Sequence, residues 1–153
     1  MSIGLSRILI LVAAAVVLAA VNLSIAAKER VISSGERIYL QLAPVDPRSL
    51  MQGDYMALRF SIAELIDTRG SGRAPLVLDE NRVATLAAAG APARLHIRYK
   101  IRHGQVWLGT NAYFFEEGTA ERYNDARYGE FRVDRDSGEA VLVGLRDEHF
   151  KPL

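Results

Sequence analysis

The sequence predicts a mainly β domain, an antiparallel sandwich or partly open barrel with one or two short helices, preceded by one N-terminal transmembrane helix. Residues 8–27 carry no charge, and only Asn22 and Ser24 among them are polar. Beyond them, short segments of alternating apolar and polar residues recur between turn residues, the pattern of half-buried strands. Strands clustered in this way, without regularly interposed helices, argue against a parallel sheet. The 153 residues fit one modest domain. Setting the apolar run aside leaves about 120 residues, enough for one core burying about 65% of the unfolded surface. The net charge of +1 points to neither a nucleic-acid binder nor a membrane-coating polycation. The chain has no cysteine, which excludes thiol nucleophiles, disulfides and cysteine metal sites.

As a helix, the 8–27 run is about 30 Å long, the hydrocarbon thickness of a bilayer. It reads as an anchor, with 1–7 a short cytoplasmic tail, 28–36 a juxtamembrane linker and 37–153 the extracytoplasmic β-rich domain. A cleavable signal peptide is the alternative, with Arg7 as its charged region and Ser24-Ile25-Ala26 spaced like a cleavage site. Against that, the apolar run exceeds the usual signal core and continues into Lys28-Glu29-Arg30, which is compatible with helix. Positive charge is divided between Arg7 on one side and Lys28, Arg30 and Arg37 on the other. A seven-residue tail before an apolar segment nevertheless reads as a signal-anchor that exports the C-terminal domain.

The helix is expected to close on turn residues over 31–35. Residues 36–43 then alternate, with Ile38, Leu40 and Leu42 on one face and Arg37, Tyr39 and Gln41 on the other. Asp46-Pro47 sets a turn, since proline fixes φ and the aspartate oxygen can accept from a nearby N–H. Gly53 marks a second reversal. A strand over 55–61 follows, with Met56, Leu58 and Phe60 on one face and Tyr55, Ala57 and Arg59 on the other. Residues 62–67 read as a short helical or irregular piece, and 68–74 as a flexible loop. Leu76-Val77-Leu78 and 83–86 flank Glu80-Asn81-Arg82 as a hairpin, although the alanines of 84–89 are also compatible with a helix. Residues 93–101 form a strand that turns at His103-Gly104 and returns over 105–115. That return strand has large apolar groups on both faces and is expected to be central. A short helix is expected over 119–128, with Glu116 and Glu117 beside its positive end. The last hairpin runs over 130–134, turns at Asp136-Ser137-Gly138 and returns over 140–145.

Gly53-Asp54-Tyr55-Met56-Ala57-Leu58-Arg59-Phe60 resembles the signature of the bacterial GDYXXLXY family of membrane-anchored proteins of unknown function. Gly53, Asp54, Tyr55 and Leu58 match as written, while Phe60 stands where the signature has tyrosine, keeping the ring without its hydroxyl. Pro44 to Arg48, Glu117-Gly118 and Arg132-Val133-Asp134 add to the likeness, which covers nearly the whole chain. The resemblance implies a single-pass protein of the bacterial inner membrane with its C-terminal domain extracytoplasmic, found alongside a multi-spanning membrane protein. It brings no catalytic residues. The expected role is a non-enzymatic accessory or interaction subunit, and the expected partners are the inner membrane and an integral membrane protein.

The candidate chemistry is sparse. Ser49 and Lys100 would serve as nucleophile and base of a signal-peptidase-like serine–lysine hydrolase, but the base of such a pair must be desolvated. Lys100 shares its face with several arginines, and Ser49 precedes Gly53 by only four residues. Adjacent Glu116 and Glu117 point to opposite faces of an extended segment and are poorly placed to share one substrate. His96, His103 and His149 lack metal-ligand spacing, so no metal or other cofactor is expected. A periplasmic ligand-binding module is a further alternative, to be marked by a deep apolar pocket. Arg94, His96, Arg98, Lys100 and Arg102 project one way from a strand as a cationic ridge, fit for a partner, for anionic lipid or simply for solvent. Asp46, Pro47, Arg48, Gly53, Asp54, Tyr55, Leu58 and Phe60 are the structural motif, with Asp54 flanked by Arg48 and Arg59 as cationic partners.

Overall fold

The structure is a computed structural model that describes residues 3–43, 51–52 and 55–153. The first element, α1, runs over Ile3–Ser34 and is long and apolar enough to cross a membrane. From Ile8 to Ile25 its large apolar side chains face outward all round, uncovered by protein, whereas a helix of a soluble domain buries one stripe. Asn22, the polar residue in this run with an amide to satisfy, donates to the Leu18 carbonyl one turn back at 2.8 Å, which lowers the cost of an amide in hydrocarbon. Residues 31–35, expected as a turn, are instead the last helical turn and its exit. Val31 is buried against the domain, Ser34 Oγ donates to the Arg30 carbonyl at 2.7 Å, and the Gly35 N–H donates to the Val31 carbonyl at 2.9 Å. Any side chain at Gly35 would start 2.4 Å from that carbonyl, so glycine is what lets the helix pass directly into the first strand.

Among the described residues, ten strands form three antiparallel sheets. β1 (Glu36–Gln41), β9 (Tyr128–Val133) and β10 (Ala140–Arg146) make the first, in the order β1-β9-β10. β2 (Met51–Gln52), β3 (Tyr55–Ala57) and β8 (Ala112–Phe114) make the second, in the order β2-β3-β8. β5 (Ala84–Leu86), β4 (Gly72–Leu78), β6 (Leu95–Arg102) and β7 (Gln105–Trp107) make the third, in the order β5-β4-β6-β7. Bridges between Leu42 and Phe60 and between Tyr39 and Val83 tie the sheets at their margins. The bond from the Arg98 N–H to the Gly138 carbonyl at 2.7 Å does the same. Of the two expected forms, this stitching is closer to the partly open barrel. A single core collects Ile38, Leu40, Met56, Leu58, Phe60, Leu76, Ile97, Leu108, Phe131 and Leu145 from all three sheets and their connections.

Several expected elements change length. The strand expected over 55–61 pairs only as far as Ala57, then bridges Leu42 through Phe60 before a 3-10 turn over Ser61–Leu65. The expected loop over 68–74 is already strand from Gly72, because β6 pairs with it residue by residue from Tyr99 to Leu95. The return strand expected over 105–115 is broken. Gly109, at φ +78, turns the chain out of the third sheet and into the second, so β7 and β8 each lie at the margin of a sheet rather than at its centre. The helix expected over 119–128 is one 3-10 turn, Ala120–Tyr123, held by Tyr123 in the core.

Candidate functional site

The signature strand is the most specified stretch of the sequence, and its described part has two unlike faces. Met56, Leu58 and Phe60 are each 2% exposed. The Phe60 ring meets Phe131 edge-on at 5.2 Å and 74°, a favoured aromatic geometry. Room for it comes from Gly129 on β9, where a Cβ would lie 2.9 Å from the Phe60 ring. The outer face carries Tyr55, directly across from Phe114 on β8. Their rings lie 5.7 Å apart, and Phe114 is 74% exposed. On the same strand Tyr113 turns inward onto Tyr123 at 5.3 Å, and burial pushes its hydroxyl pKa up. Phe114 is thus one of the residues that pack on Tyr55, and the sequence places it only on one face of a long strand. Asp46, Pro47, Arg48, Ser49, Gly53 and Asp54 lie outside the described residues.

The cationic ridge is divided by the fold. Arg98, Lys100 and Arg102 are exposed on β6, with Lys100 opposite Trp107 and Arg102 stacked over the Trp107 ring at 5.1 Å. His96 is half-buried where the turn between β9 and β10 docks, its carbonyl lying 3.0 Å from the Cβ position of Gly138. Arg94 precedes the strand and opens onto a separate groove of about 420 Å³ that it shares with Glu36 and Arg135. The ridge also gains Arg73, which faces Arg98 across β4 and β6 and donates to the Asp136 carbonyl at 3.0 Å. Lys100, the base of the hydrolase alternative, is thus exposed beside an aromatic ring and among cations.

Two acidic centres escape a reading by motif. Glu130 on β9 is 3% exposed and accepts from Arg146 Nε at 2.6 Å, with Arg37 Nε at 3.7 Å on its other side. Strand alternation does not flag Glu130, because three consecutive residues of β9, Gly129 to Phe131, are buried and both faces of the strand are covered. Glu36, just past the helix exit, accepts from Arg82 at 2.9 Å and from Arg135 Nε at 3.0 Å. The Arg135 hydrogen bond, with help from the charge of Arg82, holds its carboxyl below the usual range. Such pairing satisfies charge and ties β1 to distant turns. Among the described residues no group of three His, Asp or Glu side chains is placed to hold a metal ion. A second groove, about 260 Å³, is lined by Leu58, Phe60 and Asn111, and among the described residues the buried Asn111 Oδ1 has no hydrogen-bond partner.

No curated protein and no solved structure matches the chain. The model of the GDYXXLXY protein family matches residues 17–145, a span that takes in the latter part of α1, the signature strand and every sheet. With the match running through most of the chain and taking in the signature residues Tyr55 and Leu58, the chain belongs to the GDYXXLXY protein family.

Proposed function

We propose that this protein is a single-pass, membrane-anchored interaction subunit whose extracytoplasmic β domain engages a multi-spanning membrane protein, without catalysing a reaction itself. The observation that carries this reading is the exposed Phe114 ring beside Tyr55, on the outer face of the signature strand. Aromatic side chains exposed next to a specified backbone are characteristic anchors of protein interfaces. The α1 helix supports a membrane partner in particular, because it would confine the domain to the bilayer surface, where integral proteins are concentrated. The groove beneath Leu58, about 260 Å³, is smaller than most small-molecule sites. The groove beside Arg94, about 420 Å³, combines Glu36, Arg94 and Arg135 with apolar residues and is where a ligand of the alternative, ligand-binding reading would sit.

The test is co-purification from detergent-solubilised membranes of the native host. Full-length protein should recover a multi-spanning partner, and Phe114→Asp should lose it at least tenfold while leaving the thermal unfolding midpoint within about 2 °C, since the ring adds little to the core. Equal recovery by Phe114→Asp and by the unmodified chain would overturn the assignment of this face. Orientation is tested with Ser33→Cys, which would be the sole thiol of the chain. An impermeant thiol reagent should label it in intact cells, and labelling only after lysis would reverse the topology.

A further inference from the structure

The helix and the basic strand meet in one groove. Lys28 is the first charged residue after the apolar run of α1, and its ammonium pairs with Glu139 in the segment joining β9 and β10. Across from it stand Arg98, Lys100 and Arg102 of β6 and Trp107 of β7, and together these residues enclose a cavity of about 160 Å³. Four cations therefore line the same groove as one carboxylate, which is itself paired with Lys28. Among the described residues, Arg98, Lys100 and Arg102 have no acidic partner.

The position of this groove along α1 gives it a ligand. A helix whose uncharged run fills the hydrocarbon layer places its first lysine among the lipid headgroups. Because Lys28 lines the groove, the groove lies at that same depth, and so does Trp107, a residue type favoured at the boundary between hydrocarbon and water. The last turns of α1 also pack on β9 and β10, so the groove is held to the helix by more than one ion pair. A cavity of this size fits a phosphate group and not a folded partner. We propose that it holds the phosphate of anionic phospholipids in the leaflet from which α1 emerges, clamping the β domain to the membrane face. The proposal rests on the reading of α1 as an anchor.

Trp107 is the single tryptophan of the chain, which makes the groove directly observable. The full chain is reconstituted in nanodiscs of phosphatidylcholine containing a fixed fraction of phosphatidylglycerol, with bromine placed high on the acyl chains of one lipid or the other. Brominated phosphatidylglycerol should quench Trp107 emission at least twofold more than the same mole fraction of brominated phosphatidylcholine. Each basic residue near an anionic surface is worth about a fivefold preference, so Arg98→Glu with Lys100→Glu should abolish the difference. Circular dichroism of that double variant should match the unmodified chain, since both side chains are exposed. Equal quenching by the two lipids would overturn the proposal. Loss of the co-purifying membrane protein in the double variant, with lipid quenching still equal in the unmodified chain, would also overturn it and make the row a protein-binding surface. Failure of the anchor reading is seen separately, as a chain that does not enter the discs at all.

Discussion

Phe60 shows how one residue's identity is settled by its neighbours. It takes the place of the tyrosine in the family signature, and its ring sits against Phe131 and over the bare backbone of Gly129. Phe60→Ala would leave a cavity in the centre of the core and should lower the unfolding free energy by about 3–5 kcal/mol, measured by denaturant titration of the detergent-solubilised chain. Glu130 is a different kind of buried residue. Its carboxylate accepts from Arg146, and Glu130→Ala removes the charge-assisted bonds while Arg146, partly exposed, can turn to water. The expected loss is about 1.5–3 kcal/mol, smaller than that for Phe60 by the same measurement. Phe60 was legible as inward-facing from period two alone. Glu130 was not, because alternation assigns faces but does not reveal that both faces of β9 are covered.

At the scale of elements, the junctions carry more of the design than the strands. Gly109 has φ +78, and a Cβ there would lie 2.6 Å from the Ala140 carbonyl. Gly109→Ala therefore meets both an unfavourable backbone region and a backbone clash. It should cost about 1–3 kcal/mol and raise amide exchange in β7 and β8 ahead of that in β9. Equal exchange in all three strands would show that the β7–β8 junction opens only with the whole domain. From the sequence, 105–115 reads as one strand because its apolar residues continue on both sides of the glycine. An isolated glycine in such a run is the signal for a bend or a close approach, and here it marks both. The C-terminal segment is a second junction. Phe150 stacks on Tyr128 at 4.7 Å and meets Tyr39 at 5.0 Å, which is why Tyr39, expected on the polar face of β1, is buried.

For the whole molecule, acidic residues fix the junctions, Glu36 between remote parts of the chain and Asp134 and Asp147 within their own turns. Glu36 binds Arg82 and Arg135, Asp134 caps the turn before β10 through Ser137, and Asp147 accepts from the Lys151 and His149 N–H groups in the C-terminal segment. All three carboxyls are held below their usual range. The chief causes are the Arg135 hydrogen bond for Glu36, the Ser137 hydroxyl for Asp134 and the Lys151 N–H for Asp147. A carboxyl depressed in the folded state contributes stability that is fully present above its unfolded pKa and is lost as pH falls through the folded value. The unfolding midpoint should therefore be flat from neutral pH down to about pH 5 and decline below about pH 4. Glu36→Gln should flatten part of that decline, and a variant with an unchanged acid limb would remove Glu36 from the account.

Composition and periodicity by themselves determined the coarse plan. An uncharged run of spanning length needs no tertiary context to be read as a helix suited to a bilayer. Period-two alternation needs only local geometry to become strands with Ile38, Leu40, Met56, Leu58 and Phe60 turned inward. The signature at 53–60 named the family. What only the tertiary structure decided depends on contacts between residues far apart in the chain. Lys28 meets Glu139, dividing lines fall across the row from Arg94 to Arg102, and Phe114 comes to lie beside Tyr55. Local pattern specifies which side of a strand a residue takes. Which other strand, turn or helix end lies on that side is set by closure of the three sheets around one core, and both surfaces proposed to act at the membrane arise from that closure.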